Sequence, residues 1–306
     1  MRATILLFFI VLNSIVFAQK ELKVISLKET KRIATNLSAD NMEGRRAFTT
    51  GNEKAAAYIA NEFQKIGLKR WNDHDSFLQT FQLVKKINAN KRASYSFDLS
   101  QEGEKVQLSN IVGVLPGKSR PQEYVIFSGH FDHLGINARN LQNSDSIYNG
   151  ANDDAAGITA MIMLAKYFKK LNNNERTLLF VAFNAEEMGG FGATYFSKQF
   201  DPIQVVAMFN IEMIGTESKW GKNSAFITGY EKSNMGELLQ NNLSGSNFTF
   251  FPDPYPAQQL FYRSDNATLA RLGVPAHTIS TSKMENEPNY HKASDEISTL
   301  DLKNMK

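Results

Sequence analysis

The stretch NGANDDAAGITAMIMLAKYFKKL, residues 149–171, guides the interpretation of the rest of the chain. It begins with the turn-forming pair Asn149-Gly150 and contains two adjacent carboxylates, Asp153 and Asp154. After small residues, apolar side chains recur at helical spacing, which predicts an amphipathic helix. The two acids therefore precede a helix, whose N-terminal end stabilises negative charge. On its own, this pattern is more typical of an Asp N-cap than of a functional site.

Apolar runs alternate with helical patterns on both sides of this stretch. An amphipathic helix ends at Gly67, and strands in a hairpin-like arrangement are predicted within residues 77–115. Further strands are predicted at 124–128, 177–183, 205–211, 225–228 and 276–280, and helices at 192–200, 235–243 and 266–272. Buried strands that alternate with helices predict an α/β fold in a single domain, with a mostly parallel mixed central sheet and helices on both faces.

In such a sheet, ligands collect beyond the carboxyl ends of the strands, and this chain carries metal-binding residue types there. The segments that follow the predicted strands are Gly129-His130-Phe131-Asp132-His133, Asn184-Ala185-Glu186-Glu187, Glu212 and, later, Tyr290-His291. With Asp153 they supply nitrogen and oxygen donors and no thiolate. Mixed histidine and carboxylate sets suit zinc, or less often cobalt or manganese.

The spacing within these segments indicates roles. His130 and Asp132 are two residues apart in an extended segment and point the same way, so Asp132 is placed to orient a metal-bound imidazole. Glu186 and Glu187 are neighbours at a strand end, where one could bind a metal while the other takes a proton from water. Metal-assisted hydrolysis needs this pairing of a metal ligand and a free base.

Five segments in this order, GHFDHLG, NGANDDAAG, FNAEEMGGFGATYF, NIEMIG and YHKASDEIS, resemble the zinc aminopeptidase family that includes bacterial leucyl aminopeptidases and glutamate carboxypeptidase. The similarity extends to residues 39–68. The resemblance implies a peptidase with two zinc ions bound by His130, Asp153, Glu187, Glu212 and His291. Asp153 would bridge the ions, His130 and Glu212 would complete one site, and Glu187 and His291 the other. It also implies a cis peptide bond between Asp153 and Asp154.

The same resemblance implies three catalytic residues and peptide substrates. Glu186 would be the general base, Asp132 would support His130, and Tyr290 would stabilise the tetrahedral oxyanion. The sequence departs from the family pattern at Glu212, where Asp is usual, and at Asn266, where His is common after Ser264-Asp265. It also ends at Lys306, before a final helix that relatives usually carry.

Two other functions remain open. A glutaminyl cyclase-like aminoacyltransferase with a single zinc shares the fold, but Asp154 and two complete ligand sets favour the dinuclear hydrolase. A non-catalytic binding protein of the same fold is the other alternative, and the intact Glu186 argues against it. The sequence does not predict the preferred N-terminal residue. It also does not separate aminopeptidase from carboxypeptidase action or from the hydrolysis of another amide.

The N-terminus and the composition indicate where the protein acts. Residues 1–18 match a secretory signal peptide with cleavage before Gln19, which leaves residues 19–306 as the zinc peptidase domain. The chain has no cysteine, so an exported protein without disulfides is expected in a bacterial periplasm or in the medium. No membrane association is expected after cleavage. Lys and Arg are scattered, which gives no indication of nucleic-acid binding, and no oligomeric state is predicted.

Overall fold

The computed structural model describes residues 24–72, 75–90, 92–138 and 145–306. The predicted signal peptide lies outside these ranges. Within them, no helix is both long enough and apolar enough to cross a lipid bilayer. The helices are α1 (Leu27–Leu37), α2 (Thr50–Ile66), α3 (Ala156–Leu171), α4 (Phe191–Phe196), α5 (Met235–Asn242), α6 (Asn266–Ala270) and α7 (Leu302–Met305).

The strands alternate with these helices over the second half of the chain. They are β1 (Lys69–Arg70), β2 (Leu78–Ile87), β3 (Ala93–Ser96), β4 (Glu104–Leu115), β5 (Arg120–His130), β6 (Gly135–Ile136), β7 (Ile147–Tyr148), β8 (Arg176–Phe183), β9 (Val205–Ile211), β10 (Ser224–Ile227), β11 (Thr249–Pro252) and β12 (Ala276–Ser280). Strands β6 and β7 pair only with each other, and the rest form one large sheet.

The large sheet has a parallel centre and antiparallel flanks. Its order is β11-β10-β12-β9-β5-β8-β4-β2-β3, with β1 paired to β4. Strands β12, β9, β5 and β8 run parallel to one another. Strands β4, β2 and β3 pair antiparallel, as the hairpin-like pattern predicted. The predicted α/β fold with a mixed central sheet is therefore confirmed.

Helices cover both faces of this sheet because its central strands are apolar on both sides. In β8, Phe180 and Ala182 belong to a core shared with α1, α2 and α3, whereas Leu179 and Val181 belong to a core shared with α4 and α6. Successive side chains of a strand point to opposite faces, so one continuous apolar run fills both cores. Burial on two faces fixes the register of the central strands.

Most predicted elements occur close to their predicted bounds. Strands β9 and β12 match the predictions at 205–211 and 276–280, and α2 ends at Gly67, whose φ of 77° gives the left-handed C-cap that glycine favours. Helices α4 and α6 are shorter than predicted. Helix α1 was not predicted; it buries only one narrow stripe, which includes Ile33 and Leu37.

Candidate metal centre

The parallel strands bring the predicted metal ligands to one edge of the sheet. His130 is the last residue of β5, Glu186 and Glu187 follow β8, and Glu212 follows β9. Because these three strands are adjacent and parallel, their carboxyl ends lie side by side. The turn Ala151–Ala155, which precedes α3, extends over the same edge.

Asp153 belongs to two groups of residues that could each hold a metal ion. His130, Asp153 and Glu212 offer ligand atoms that all lie within 4.8 Å of one another, and so do His133, Asp153 and Glu187. In the first group, His130 Nε2 lies 3.1 Å from Asp153 Oδ1. The geometry thus brings together four of the five predicted ligands, with Asp153 shared between the groups.

The fifth predicted ligand, His291, lies against the second group. Its Nε2 is 3.3 Å from Asp153 Oδ2 and 3.3 Å from Glu187 Oε2, and its side chain is 37% exposed. His133 was not predicted as a ligand, yet its Nδ1 lies 2.8 Å from Glu187 Oε1. The second group therefore has two imidazoles beside Glu187, one buried and one at the surface.

The shared carboxylate is held by a turn with many hydrogen bonds. The peptide bond between Asp153 and Asp154 is cis, as the resemblance implied. The N–H groups of Asn152 and Asp153 donate to the two oxygens of Asp295, at 2.9 and 3.0 Å. Asp154 Oδ1 accepts from the N–H groups of Gly157 and Met213, at 3.0 and 3.1 Å, and so ties the start of α3 to the segment after β9, while Asp153 faces the site.

The buried side chain of Arg45 holds together the loops around this turn. It is fully buried, and its guanidinium donates to the carbonyl oxygens of Leu37, Phe131, Asn149 and Gly150. The fixed N–H donors of one guanidinium can bind several chain segments at once. Neither Arg45 nor Asp295 was predicted, although both lie in segments that carry the family resemblance.

Asp132 makes contacts that differ from the expected ones. The Nδ1 of His130 lies 3.0 Å from the backbone oxygen of Asp132 but 3.9 Å from its carboxylate. The carboxylate instead accepts the N–H groups of Glu186 and Glu187, at 3.0 and 3.3 Å. Asp132 therefore orients the imidazole through its main chain and holds the Glu186–Glu187 segment through its side chain.

Tyr290 stands at the exposed side of the site. Its ring stacks on His291, with centroids 3.9 Å apart and planes at 21°. Its hydroxyl lies 3.4 Å from Nη2 of Arg263. Burial, followed by the nearby charge of Asp153, raises the pKa of Tyr290, so the hydroxyl keeps its proton at neutral pH.

The pKa values of the carboxyl groups are pushed apart. Burial raises the pKa of Glu186 well above its usual range, and it raises the pKa of Asp132 to about 6. Burial opposes ionisation of Glu187 as well, but hydrogen bonds with His133 and His291 outweigh it and lower its pKa to about 2. In the same way, hydrogen bonds to imidazoles hold the pKa of Asp153 well below its usual range despite burial.

The arrangement fits a bound cation. Glu212 Oε2 and His133 Nε2 are buried and have no hydrogen-bond partner within the described ranges, and the same holds for both carboxylate oxygens of Asp265. Unpaired buried carboxylates are costly, so a cluster of them normally neutralises itself, pairs or binds a metal. Imidazole and carboxylate donors without thiolate fit zinc among the common metals.

The mixed sheet and the two histidine–carboxylate groups at its carboxyl edge are the features expected of a zinc-dependent peptidase. The model of Peptidase family M28 matches residues 110–306. The chain belongs to this family, which confirms the resemblance inferred from the five segments.

Curated relatives match only part of the chain. A probable zinc metalloprotease of Pyrenophora tritici-repentis is 31% identical over 112 residues, 36% of this chain and 25% of the relative. Aminopeptidase YwaD of Bacillus subtilis is 25% identical over 207 residues, 61% of this chain and 39% of the relative. The chain thus covers well under half the length of both relatives.

Solved structures share the fold over nearly the whole chain. BSAP, a zinc aminopeptidase from Bacillus subtilis, superimposes with a TM-score of 0.68 at 14% identity, covering 92% of each chain. Porphyromonas gingivalis glutaminyl cyclase superimposes with a TM-score of 0.64 at 13% identity, covering 92% of this chain and 94% of the cyclase. At such identities the likeness establishes the common fold.

Proposed function

We propose that this protein is a zinc-dependent exopeptidase, most specifically an aminopeptidase that removes N-terminal residues from peptides. The observation that carries the proposal is the sharing of Asp153 between two histidine–carboxylate groups. His130, Asp153 and Glu212 would hold one zinc ion, and Asp153, Glu187 and His291 the other, with His133 beside Glu187. Zinc, when bound, acts as a Lewis acid and lowers the pKa of water.

The chain's own residues supply the remaining chemistry. Glu186 accepts the proton of the attacking water and passes it to the leaving amine, as general-base catalysis requires. Asp132 positions Glu186 by accepting its N–H. The Tyr290 hydroxyl is a neutral donor for the oxygen of the tetrahedral intermediate. A Glu at position 212, where Asp is usual, is compatible with this role, since Glu212 Oε2 is buried and has no hydrogen-bond partner among the described residues.

We infer that the protein acts outside the cytoplasm, in the periplasm or the medium, on peptides available there. The support is the sequence pattern of residues 1–18 together with the absence of cysteine from the chain. Cleavage before Gln19 in the secreted protein, found by N-terminal sequencing, is the direct test.

Metal dependence is the first prediction. The purified protein should hydrolyse an aminoacyl para-nitroanilide, lose this activity to a chelator, and recover it with zinc or cobalt. The same chelator saturated with zinc beforehand is the control, and it should cause no loss. Full activity after complete removal of metal would rule out the proposed chemistry.

Zinc stoichiometry separates this proposal from its alternatives. Two zinc ions per chain, measured by elemental analysis and located by anomalous diffraction, are expected. One ion on Asp153, Glu187 and His291, with Glu212 turned away, would favour the single-zinc glutaminyl cyclase, and cyclisation of an N-terminal glutamine peptide would establish it. A full zinc complement without turnover of either substrate would indicate the non-catalytic binding protein.

A further inference from the structure

A groove leads from the candidate metal centre towards the β2–β3 hairpin. Its inner part, a cavity of about 460 Å³, is lined by His133, Glu187 and His291 and also by Arg46 and Met188. Its outer part, about 1070 Å³, is also lined by Arg46 and Met188. The two parts also share Ala47 and Ile136, so they adjoin, and only the inner one is lined by the metal-binding residues.

The wall of the outer part is a loop in an unusual conformation. Glu43, Arg45 and Phe48 all have positive φ, at 55°, 51° and 66°. Such conformations cost energy in residues other than glycine and tend to cluster at functional sites. Phe48 is fixed by stacking on Tyr95 of β3, with centroids 5.0 Å apart and planes at 11°. This stacking holds the loop against the hairpin. The loop keeps its positive φ angles despite their conformational energy.

The rim of the groove offers contacts that suit an extended peptide. Ile87 and Ile136 line it and are 59% and 50% exposed, so they can pack against apolar side chains of a bound peptide. Strand β3, which also lines it, is one of the two edge strands of the sheet. The outer backbone N–H and C=O groups of an edge strand can pair with another extended chain.

The charges along the groove change sign. The metal end is rich in carboxylates, whereas Arg46 and Arg92 line the outer part. Within the described ranges, neither guanidinium has a hydrogen-bond or ion-pair partner. The acid nearest to them in sequence on this wall, Glu43, is paired with Lys54 at 2.7 Å. The outer groove therefore carries two free cations that can bind carboxylates.

A second pocket at the metal centre, beside Glu212 rather than Glu187, is much smaller. The pocket beside Glu212, lined also by Phe226, Thr228 and Thr278, has a volume of about 50 Å³. It has room for little more than part of one small side chain, whereas the groove on the Glu187 side has room for several residues. A substrate with one residue on the small side and the rest of its chain in the groove fits both volumes.

We propose that the groove binds the part of a peptide that follows the scissile bond, and that Arg46 and Arg92 bind a carboxylate of that part. This inference rests on the proposed function and narrows it to peptides rather than single aminoacyl derivatives. Arg46 and Arg92 lie in the long groove, whereas Arg263, which lines the small pocket, already donates to Gln258 and Tyr290. The C-terminal part of the peptide therefore occupies the groove, which is the polarity of an aminopeptidase. Arg46, which lines both parts of the groove, meets shorter peptides, and Arg92 meets longer ones.

The test compares tripeptides and pentapeptides that share one N-terminal residue, each with a free C-terminus and as the C-terminal amide. At low ionic strength, kcat/KM should be about tenfold higher for the free acid, the size expected of one hydrogen bond to a charged group. Arg46→Gln should bring this acid-to-amide ratio close to one for the tripeptide, and Arg92→Gln for the pentapeptide. Added salt should reduce the ratio in the wild type.

Arg120→Gln is the matched control, because Arg120 is exposed, lies at the start of β5 and lines neither part of the groove; it should leave the ratio as in the wild type. An amidated peptide with an internal Asp shows whether a side-chain carboxylate serves as well as the terminal one. Equal kcat/KM for acids and amides at both lengths, with metal-dependent hydrolysis intact, would overturn this inference alone. Absence of hydrolysis for every peptide and for the anilide would overturn the proposed function and this inference with it.

Discussion

Glu186 and Glu187 are neighbours in the chain, but their side chains meet different partners. Glu187 contacts His133 at 2.8 Å and His291 at 3.3 Å, and it forms a metal-binding group with Asp153. Glu186 belongs to neither group, and Asp132 accepts its N–H. The first arrangement suits a metal ligand, and the second leaves a carboxylate free to move a proton.

Replacing the proposed base therefore separates chemistry from metal binding. Glu186→Gln should reduce kcat on an aminoacyl anilide by a factor on the order of 10² or more, because general-base catalysis contributes that much. Zinc content should stay near that of the wild type. Glu187→Gln is the matched variant, and it should lose zinc as well as activity. Loss of zinc from the Glu186 variant would mean that the roles of the two residues are exchanged.

The sequence predicts those site residues that close a strand. His130, Glu187 and Glu212 could be assigned to one edge because the apolar runs before them were recognisable as strands. The contacts of Asp132 could not be predicted in this way. Strand β5 ends at His130, and beyond it side chains no longer alternate between the two faces of an extended chain. Beyond the end of β5, His133 also contacts Glu187. The spacing of residues along a strand does not predict this contact.

On the scale of elements, charged side chains join the three helices that cover one face of the sheet. Arg32 of α1 contacts Glu62 of α2 at 2.6 Å and Glu29 of α1 at 3.1 Å. Lys166 of α3 also pairs with Glu29. The side chain of Glu62 is almost fully buried, so Arg32 and Lys65 offset a charge that would otherwise be costly there.

This network predicts a pH dependence of stability. Arg32 and then Lys166 lower the pKa of Glu29 from 4.5 to about 2. Because the folded pKa is below the unfolded one, the stabilisation is fully present above about pH 4.5 and is lost as the pH falls towards 2. Glu29→Gln should lower the free energy of unfolding at pH 7 by about 1 kcal/mol, because a partly exposed ion pair contributes no more than that.

Urea unfolding at pH 7, 4.5 and 3 measures the effect. The difference between Glu29→Gln and the wild type should shrink as the pH falls. Glu104→Gln is the control, since Glu104 pairs with Lys85 on the exposed hairpin and joins no helices. A difference for Glu29→Gln that stays constant from pH 7 to pH 3 would contradict the assignment.

Helices and strands with long apolar patterns that fill a core were predictable from the sequence. Short helices whose ends depend on local contacts were predicted less accurately. Strand β9 and helix α3 carry long periodic apolar patterns. Helix α4 ends at Phe196 rather than continuing to residue 200, because the N–H groups of Lys198 and Gln199 donate to the carbonyl oxygens three residues back in a turn. Short helices of this kind are set by their packing partners, which a periodic pattern does not contain.

On the scale of the whole molecule, the carboxyl edge of the sheet gathers most of the buried acids. Asp132, Asp153, Asp154 and Asp265 are all at most 2% exposed. Their mutual repulsion and desolvation oppose folding, so a cation that binds the folded chain alone should stabilise it strongly. Binding at a concentration 1,000 times Kd adds about 4 kcal/mol.

Zinc should therefore raise Tm, and a chelator should lower it, in calorimetry without any substrate. His130→Asn should abolish most of this zinc-dependent shift. His277→Asn is the matched control, because His277 is buried in β12 and bonded to Ser233 and Thr228, away from the site. That variant should melt earlier but keep the zinc-dependent shift. An equal shift in both variants would place the stabilising zinc elsewhere.

The buried guanidinium of Arg45 limits how this chain can be divided into fragments. The family model covers residues 110–306, which contain every proposed ligand, yet Arg45 lies outside that segment and joins the chain at Phe131, Asn149 and Gly150. Strand β4 would also be cut part of the way along. The segment that the family model matches is therefore smaller than the part of the chain that packs as one unit. Domain transplants and expression fragments need to begin before α1.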